Sequence, residues 1–465
     1  MKRSLRSSLP WEMTPVILTL AWPTMFEQLL QTAVQYIDTA MVGSLGTQAT
    51  AAVGATSTVS WLVGSTIAAI SIGFLAYISQ ADGAGDLEKV SRASAQAVLA
   101  TLVIGLFFTA LCVGVSSRVP LWMQVEEDTR DLAAKYFLIL YAPMLFRTAS
   151  IIFGTLLRAA GDTRTPMLVG CGVNAANVIL NFLMIYPTRQ AVLFGFAVTI
   201  PGAGMGVMGA GIASAIAFTL GGVAIAIALW RHPRLSFRGR SLKPDWSVLG
   251  PCMKVAVPNA IQRFATSFGY VAFASMINAL GDVSTAAHTI ANTVESAFYI
   301  PGYGMQTAAA TLAGNALGAG DRKRMRDLGR MIVVIEAGMM VVSGGLLFAF
   351  APRMMGLFSR DALVIALGAT VLRMVAVSEP FYGVSIIIEG MLQGMGKTMV
   401  PLVCNIMGMW GIRIVGTFLC TRLWGMGLVS AWACMIAHNL LLFVMFTAYY
   451  RSGKWSEKKL EKLKI

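Results

Sequence analysis

The chain has 465 residues, of which 56% are hydrophobic and only 12% are charged, and its formal net charge is +14. Soluble domains carry about 25% charged residues, so this composition excludes an ordinary soluble enzyme. The Lys and Arg residues stand in short clusters between long apolar runs. This pattern indicates a polytopic membrane protein and argues against a nucleic-acid-binding protein.

Twelve apolar runs are long enough to cross a bilayer, which takes about 20 mostly apolar residues. Backbone groups in lipid must pair internally, so the runs predict helices and an all-α polytopic fold. The first run is about twice the length of a signal-peptide core and has no clear cleavage site, so we expect it to be retained. The predicted spans are residues 15–41, 51–80, 92–117, 132–157, 166–187, 205–230, 250–278, 286–316, 328–351, 364–392, 400–420 and 424–449.

The distribution of positive charge predicts the direction of these spans. Lys and Arg cluster before the first span, after the second, fourth, sixth and eighth spans, and in the tail. The connections on the opposite side hold only scattered cations and the acidic run 126–128. Both termini are therefore predicted to lie in the cytoplasm.

The chain also contains an internal repeat. Short matches recur 235 positions apart, and the register holds without a gap from the Pro23 and Pro258 pair to the Pro166 and Pro401 pair. Because each repeat has six spans, the two lobes have the same orientation and are related by pseudo-symmetry. A cavity between such lobes can open to each side in turn, as in a transporter. The predicted parts are an N-terminal lobe (1–230), a basic cytoplasmic linker (231–247), a C-terminal lobe (248–450) and a basic cytoplasmic tail (451–465).

Three segments of the first lobe and their counterparts in the second carry a family resemblance. DTAMVGSLG (38–46), QADGAG (80–85) and RAAGDTRTP (158–166) resemble the multidrug and toxic compound extrusion (MATE) family, in its bacterial NorM and DinF-like branches. The resemblance covers nearly the whole chain. It implies a twelve-helix exporter of the bacterial inner (plasma) membrane that expels organic, often cationic, compounds in exchange for H⁺ or Na⁺. It implies no enzyme activity and no cofactor beyond that ion, and we expect a monomer whose partners are organic substrates and the lipid bilayer.

Polar residues on two helices of the first lobe predict a cation site. An ionisable residue inside a span is costly and marks function by default, so Asp38 is predicted to bind the coupling cation with Asn177 and Asn181 as neutral partners. The alternative is that Asp38 caps its helix or forms a structural pair. The residues that share a helix face are Glu27, Gln31 and Asp38 on the first helix, and Asn174, Asn177 and Asn181 on the fifth.

The resemblance bears on the identity of the coupling ion. Asp38 matches the family's essential first-helix acid. Branches of the family that have a second acid carry it where this chain has Asn181. Fewer anionic ligands weaken a Na⁺ site, so the sequence favours H⁺.

The second lobe places its charges differently, because the repeat pairs Asp38 with Phe273 and Glu27 with Gln262. Glu379 and Glu389 are ten residues apart and lie on one side of the tenth helix. They could bind an organic cation or a second proton, or be neutralised in buried ion pairs with arginines. The candidate site of this lobe comprises Glu295, Glu379, Glu389, Gln262 and Arg263.

Other signals are weaker or negative. The six cysteines and three histidines have neither disulfide nor metal-ligand spacing, and no nucleophile–base pair is recognisable, so neither a metal nor a catalytic site is predicted. Two other functions stay open: a flippase or exporter of lipid-linked or polymer precursors, against which the acid on the first helix argues, and an intramembrane enzyme. The predicted cavity aromatics are Tyr36, Trp61, Tyr299 and Tyr382.

Overall fold

The structure is a computed structural model that describes residues 10–193 and 196–455. Its first half consists of long helices followed by a β-hairpin and one further helix. The predicted basic residues at 2, 3 and 6 and the tail after 455 lie outside the described residues. The elements are a 3₁₀ turn (Trp11–Met13), α1 (Thr14–Gly43), α2 (Thr47–Gly83), α3 (Leu87–Val115), α4 (Val119–Trp122), α5 (Glu127–Tyr141), α6 (Met144–Ala159), α7 (Arg164–Ile185), β1 (Pro187–Leu193), β2 (Phe196–Ala203) and α8 (Gly206–Arg231).

The second half is helical throughout its described part, and one of its spans is unusual. The eleventh span changes from α-helix to π-helix and back, and then ends in a second π-helical turn, so its backbone hydrogen bonds run from i to i+5 in those places. The elements are α9 (Trp246–Asn278), α10 (Asp282–Gly318), α11 (Arg322–Phe358), α12 (Ala362–Gly394), α13 (Met399–Ile406), a π-helix (Met407–Ile414), α14 (Val415–Phe418), a π-helix (Leu419–Leu423) and α15 (Leu428–Arg451).

Helices cover all twelve predicted spans, which confirms the all-α fold. Eight helices of the described chain are long and apolar enough to cross a membrane, and a ninth span is the α5–α6 pair, which is bent by 47°. The remaining three, α1, α9 and α10, are as long as the others. Each of them carries charged or amide side chains of the predicted sites, which lower its hydropathy.

Turns at matching positions of the repeat have the same backbone conformation. Glycine adopts a left-handed conformation at no steric cost, and each of these turns uses one. The same local geometry therefore recurs in both repeats. The pairs are Gly46 (φ 111°) with Gly281 (100°), Gly85 (73°) with Gly320 (70°), and Gly161 (87°) with Gly396 (71°).

The connection between α7 and α8 is an antiparallel β-hairpin, in which Pro187 pairs with Ala203 and Leu193 with Phe196. The sequence analysis predicted no strands here. The segment is rich in Val, Phe and Ile, which favour strands. A short apolar stretch between long apolar helices is nevertheless hard to distinguish from a helix end.

The described chain divides into two compact units. The C-terminal unit consists of the described parts of Met1–Gln28, Leu75–Asp86 and Pro251–Ile465, and the N-terminal unit of Leu29–Phe74 and Leu87–Gly250. Within the C-terminal unit, the Thr24 hydroxyl donates to the Gly304 carbonyl at 2.8 Å. The Gln80 side chain donates to the Gly394 carbonyl at 2.9 Å. The beginning of α1 and the end of α2 are therefore held against α10 and α12.

The segment 231–247 is fastened to α3 inside the N-terminal unit. The Gln96 amide donates to the Lys243 carbonyl at 2.9 Å and accepts from the Asp245 backbone N–H at 3.0 Å. Arg92 forms an ion pair with Asp245 at 2.5 Å. The Ser247 hydroxyl and the Arg92 guanidinium together hold the pKa of Asp245 below its usual value of 3.8. These contacts make the segment a fixed strap on α3.

Candidate functional site

The predicted cation site of the N-terminal unit is assembled around Asp38 on α1. The Asn181 amide donates to Asp38 Oδ1 at 2.7 Å. Asp38 is half-buried, while Asn177 and Asn181 are only 6% and 1% exposed. Because Asn177 and Asn181 lie one turn apart on α7, both amides face the carboxyl group. The three residues that were predicted to form the centre of the site therefore do come together.

The oxygen and nitrogen of the Asn177 amide can be placed in two ways, of which one matches donors to acceptors. In one, its oxygen accepts from Asn181 at 3.2 Å and its nitrogen donates to the Ser214 hydroxyl at 3.1 Å. In the other, its nitrogen donates to the two Asp38 oxygens at 3.0 and 3.1 Å, and its oxygen accepts from Ser214 at 3.1 Å. A charged carboxylate only accepts hydrogen bonds, so the second orientation suits an ionised Asp38.

The first orientation directs the Asn177 oxygen at the Asp38 oxygens, so that acceptors face acceptors. The second orientation therefore satisfies the polar groups of the site. The Asn181 oxygen is a buried acceptor without a hydrogen bond in the described part of the chain. The Asp38 carboxyl group is therefore held by two side-chain amides and has a further buried acceptor beside it.

Two neighbours of Asp38 were missed by the sequence analysis. Ser214 on α8 bonds to Asn177 in both orientations of the amide. Tyr136 on α5 is 7% exposed and interacts electrostatically with Asp38. Serine and tyrosine are ordinary residues in membrane helices, so neither stood out.

The other predicted residues of the first lobe lie outside this network. Asn174 is half-buried on α7 and has no hydrogen bond to Asp38 within the described residues. Glu27 is half-buried and belongs to the C-terminal unit, because the division between units falls within α1. Gln31 is exposed, as are the predicted cavity aromatics Tyr36 and Trp61, at 44% and 55%.

In the C-terminal unit, Glu389 is surrounded by side-chain amides. Its Oε1 accepts from Gln262 at 2.7 Å and from Gln393 at 3.2 Å, and its Oε2 accepts from Asn405 at 3.4 Å. The Arg263 charge interacts with it electrostatically. Glu389, Gln262 and Arg263 are therefore neighbours, as predicted, and the site gains two amides that the sequence analysis did not select.

The predicted acids Glu295 and Glu379 form a different cluster in the same unit. Glu379 interacts electrostatically with Glu295 on α10 and with Glu336 on α11. These side chains are 1%, 5% and 0% exposed, respectively. Glu379 and Glu389 lie on one side of α12, but ten residues at 1.5 Å each separate them by about 15 Å along the axis. The acids of the second lobe thus form two clusters and not a single one.

Three tyrosines lie between the two acidic clusters. Tyr299 makes edge-to-face contacts with Tyr303 and Tyr382, each with 5.8 Å between ring centroids. The Tyr303 and Tyr382 hydroxyls are 3.1 Å apart. Tyr303 interacts electrostatically with Glu389 and Tyr299 with Glu379. The predicted aromatics Tyr299 and Tyr382 therefore meet in one cluster, to which Tyr303 is added.

A repeated set of six membrane-length helices, with acids and amides inside the spans, is the construction of secondary transporters. The family model MatE matches the chain twice, over residues 23–183 and 258–419. The chain therefore belongs to the MatE family of multidrug efflux transporters. The two matches begin 235 residues apart, which confirms the internal repeat.

Individual relatives agree with this assignment. The chain is 27% identical over 457 residues to a Thermotoga maritima protein named "Probable multidrug resistance protein NorM", covering 97% of this chain and 96% of the relative. The crystal structure of a MATE protein in complex with MaD3S has a TM-score of 0.87 at 20% identity, covering 95% of this chain and 96% of that one. An outward-facing multidrug resistance MATE transporter has a TM-score of 0.85 at 20% identity, covering 95% of each chain. These structures have the same twelve-helix fold.

Proposed function

We propose that the protein exports organic cations in exchange for protons that bind at Asp38. The Asp38–Asn177–Asn181 network supports this most strongly, because it joins a carboxyl group inside the first span to two buried amides. Binding of the ion therefore changes hydrogen bonds that join α1 to α7 and, through Ser214, to α8. Such a change is what coupling an ion to a conformational cycle requires.

The composition of the site favours H⁺ over Na⁺. Asp38 is the carboxylate of the network, and its partners Asn177, Asn181 and Ser214 are neutral. Sodium is a hard cation that is held by several oxygen ligands, and its binding weakens when fewer of them are anionic. A proton needs only one carboxylate oxygen and one acceptor.

The tyrosine cluster and the acids beside it are the proposed substrate site. Aromatic faces attract organic cations, and carboxylates add charge attraction. Tyr299, Tyr303 and Tyr382 supply such faces, and Glu379 and Glu389 lie on either side of them. Exchange of one proton for one monovalent cation moves no net charge, so the pH gradient alone would drive it, about tenfold per pH unit.

We further propose a bacterial inner membrane location with both termini in the cytoplasm. The basic strap 231–247 and the basic connections after α2, α6 and α10 support this orientation. Fusions at the C-terminus test it. A green fluorescent protein fusion should fluoresce and an alkaline phosphatase fusion should be inactive, and the opposite pair of results would contradict the orientation.

Efflux from proteoliposomes of purified protein tests the transport function. Ethidium transport should follow an imposed pH gradient and should not respond to an imposed Na⁺ gradient. A response to Na⁺ alone would contradict the assignment of the ion. Transport that follows neither gradient, with lipid scrambling in its place, would contradict the function and favour a flippase.

A further inference from the structure

The C-terminal unit contains a counterpart of the Asp38 site with different chemistry. The family model matches 161 residues of the first repeat (23–183) and 162 of the second (258–419). The π-helix Met407–Ile414 is the place where the second repeat can take up one additional residue, because each of its turns is about one residue longer than an α-helical turn. After this insertion, Arg413 and Thr417 take the positions of Asn177 and Asn181, and Phe273 takes that of Asp38.

The contacts agree with this correspondence. The Arg413 guanidinium lies 4.1 Å from the centroid of the Phe273 ring and 4.9 Å from that of Tyr270. Arg413 is 4% exposed and Phe273 is 1% exposed. The same two helix positions therefore meet in both units. In one unit a carboxyl group meets an amide, and in the other an aromatic ring meets a cation.

Two buried side chains around this position have polar atoms without a partner. Within the described residues, Arg413 Nε and both ring nitrogens of His438 make no hydrogen bond, while the Thr417 hydroxyl interacts with the Cys434 thiol. Thr417 and His438 are 0% and 5% exposed. Thr417 follows Arg413 by one helical turn, and His438 packs against Gly408, one π-helical turn before Arg413. Buried donors are nearly always satisfied, so this cluster of donors calls for an acceptor.

The charges nearby do not supply that acceptor. Arg413 interacts electrostatically with Glu295, His288 and His438. Within the described residues, however, no carboxylate forms an ion pair with Arg413. His288 accepts from the Trp432 indole at 3.2 Å and is thus already engaged. The Tyr270 and Phe273 rings cover the guanidinium, while its Nε side has no partner.

We propose that this position, the Phe273–Arg413–Thr417 site, binds a carboxylate group of the transported substrate. The Nε and Nη hydrogens of arginine lie in one plane and match the two oxygens of a carboxylate, and the His438 ring offers a further donor. The inference rests on the proposed export function and narrows its substrates. Aromatic zwitterions, with a cationic and a carboxylate group, would bind better than simple cations of the same shape.

Rhodamine B and its ethyl ester separate the two groups, because both are aromatic cations and only the first has a free carboxylate. Their binding to purified protein in detergent is measured by fluorescence anisotropy, which does not depend on transport. Arg413→Met should weaken the binding of rhodamine B about tenfold or more and that of the ester less than about twofold. Arg413→Lys keeps the charge but not the planar pair of donors, so it should weaken rhodamine B binding by an intermediate amount.

Arg373→Met is the matched control. Arg373 is an exposed arginine of the same unit and also lies over a phenylalanine ring, 5.7 Å from the Phe348 centroid. It should leave the binding of both dyes unchanged. Equal losses for both dyes in Arg413→Met, or no loss for either, would overturn the proposal. If Arg413→Met does not fold, Arg413→Lys takes its place. A preference for rhodamine B over its ester that is unchanged in Arg413→Lys would overturn the proposal.

Sodium benzoate tests whether a free carboxylate can occupy the same site. Protection of the wild-type protein, but not of Arg413→Met, against thermal unfolding would assign a free carboxylate as a ligand. If benzoate protects neither protein while Arg413→Met still loses rhodamine B binding, the site binds a carboxylate only as part of a larger substrate. Failure of both dyes to move along a pH gradient would contradict the proposed export but not this site, since binding is measured separately.

Discussion

The N-terminal and C-terminal units share their helices and turns but not their polar side chains. In one, Asp38 meets Asn177 and Asn181; in the other, Phe273 meets Arg413 beside Thr417. The glycine turns agree in conformation across the two repeats. Duplication has therefore preserved the scaffold, while each half has acquired its own chemistry. A carboxyl group is present at this position only in the first.

The acids of the C-terminal unit show the same divergence, because here the second repeat has acids where the first has none. With the offset of 235, Glu295, Glu336 and Glu379 correspond to Ser60, Thr101 and Met144. In the N-terminal unit, Ser60 accepts a hydrogen bond from Tyr141. Acids are thus placed at different helix positions in the two units. The comparison predicts that ion coupling and substrate selection are separable by mutation.

The largest effect is expected at Asp38. Asp38→Asn retains the shape of the side chain but cannot take up and release a cation, so pH-driven ethidium efflux should fall to the leak rate. Efflux from proteoliposomes measures this, and ethidium binding in detergent should persist. Asp245→Asn is the matched control, because Asp245 lies in the strap on α3. Coupled efflux by Asp38→Asn at the wild-type rate would remove the distinction between the two units.

The next effect is expected on α7. Asn181→Leu removes the 2.7 Å hydrogen bond to Asp38. A hydrogen bond to a charged group contributes about 1.5–3 kcal/mol, so without this donor to the ionised carboxylate the proton concentration needed for half-maximal efflux should fall about tenfold to a hundredfold. Asn174→Leu, on the same helix but outside the network, should change it less than about twofold. Equal effects of the two substitutions would show that the hydrogen bond is not part of coupling.

A stability change tests the close packing of the scaffold. A Cβ atom at Gly394 would overlap the Ala310 carbonyl oxygen on α10, and backbone cannot yield as a side chain does. Gly394→Ala should therefore cost about 3 kcal/mol of unfolding free energy, at the upper end for overpacking. At Gly338 on α11, a Cβ atom meets nothing within 4 Å. Gly338→Ala should unfold at or above the wild-type temperature, and similar losses in both variants would contradict the packing.

The smallest effect is expected at the strap. The pKa of Asp245 is lowered in the folded protein, so its ionised form contributes stability above the ordinary pKa, and this is lost as the pH falls through the folded value. Asp245→Ala should cost less than about 1 kcal/mol at neutral pH, because the pair with Arg92 is partly exposed. The difference in thermal unfolding temperature should shrink below pH 4. A difference that grew with acidity would contradict the ion pair.

How far the sequence could predict the structure depended on periodicity. The twelve spans, the repeat and the Asp38–Asn177–Asn181 site followed from apolar run length, a constant offset and one-turn spacing. The hairpin 187–203 and the π-helix Met407–Ile414 did not, because neither has a distinct hydropathy pattern. Glu379 and Glu389 share a helix side, but the pattern does not show which neighbours each will meet. Ser214 and Tyr303 are of types common in spans, and only three-dimensional contacts single them out.

Proton movement driven by substrate alone tests the coupling role of Asp38 most directly. Proteoliposomes with a pH-sensitive dye inside and no imposed pH gradient are given an ethidium gradient. The wild-type protein should move protons against the flow of ethidium, and Asp38→Asn, which still binds ethidium, should move none. Proton movement of equal size in Asp38→Asn would contradict the assignment of coupling to Asp38.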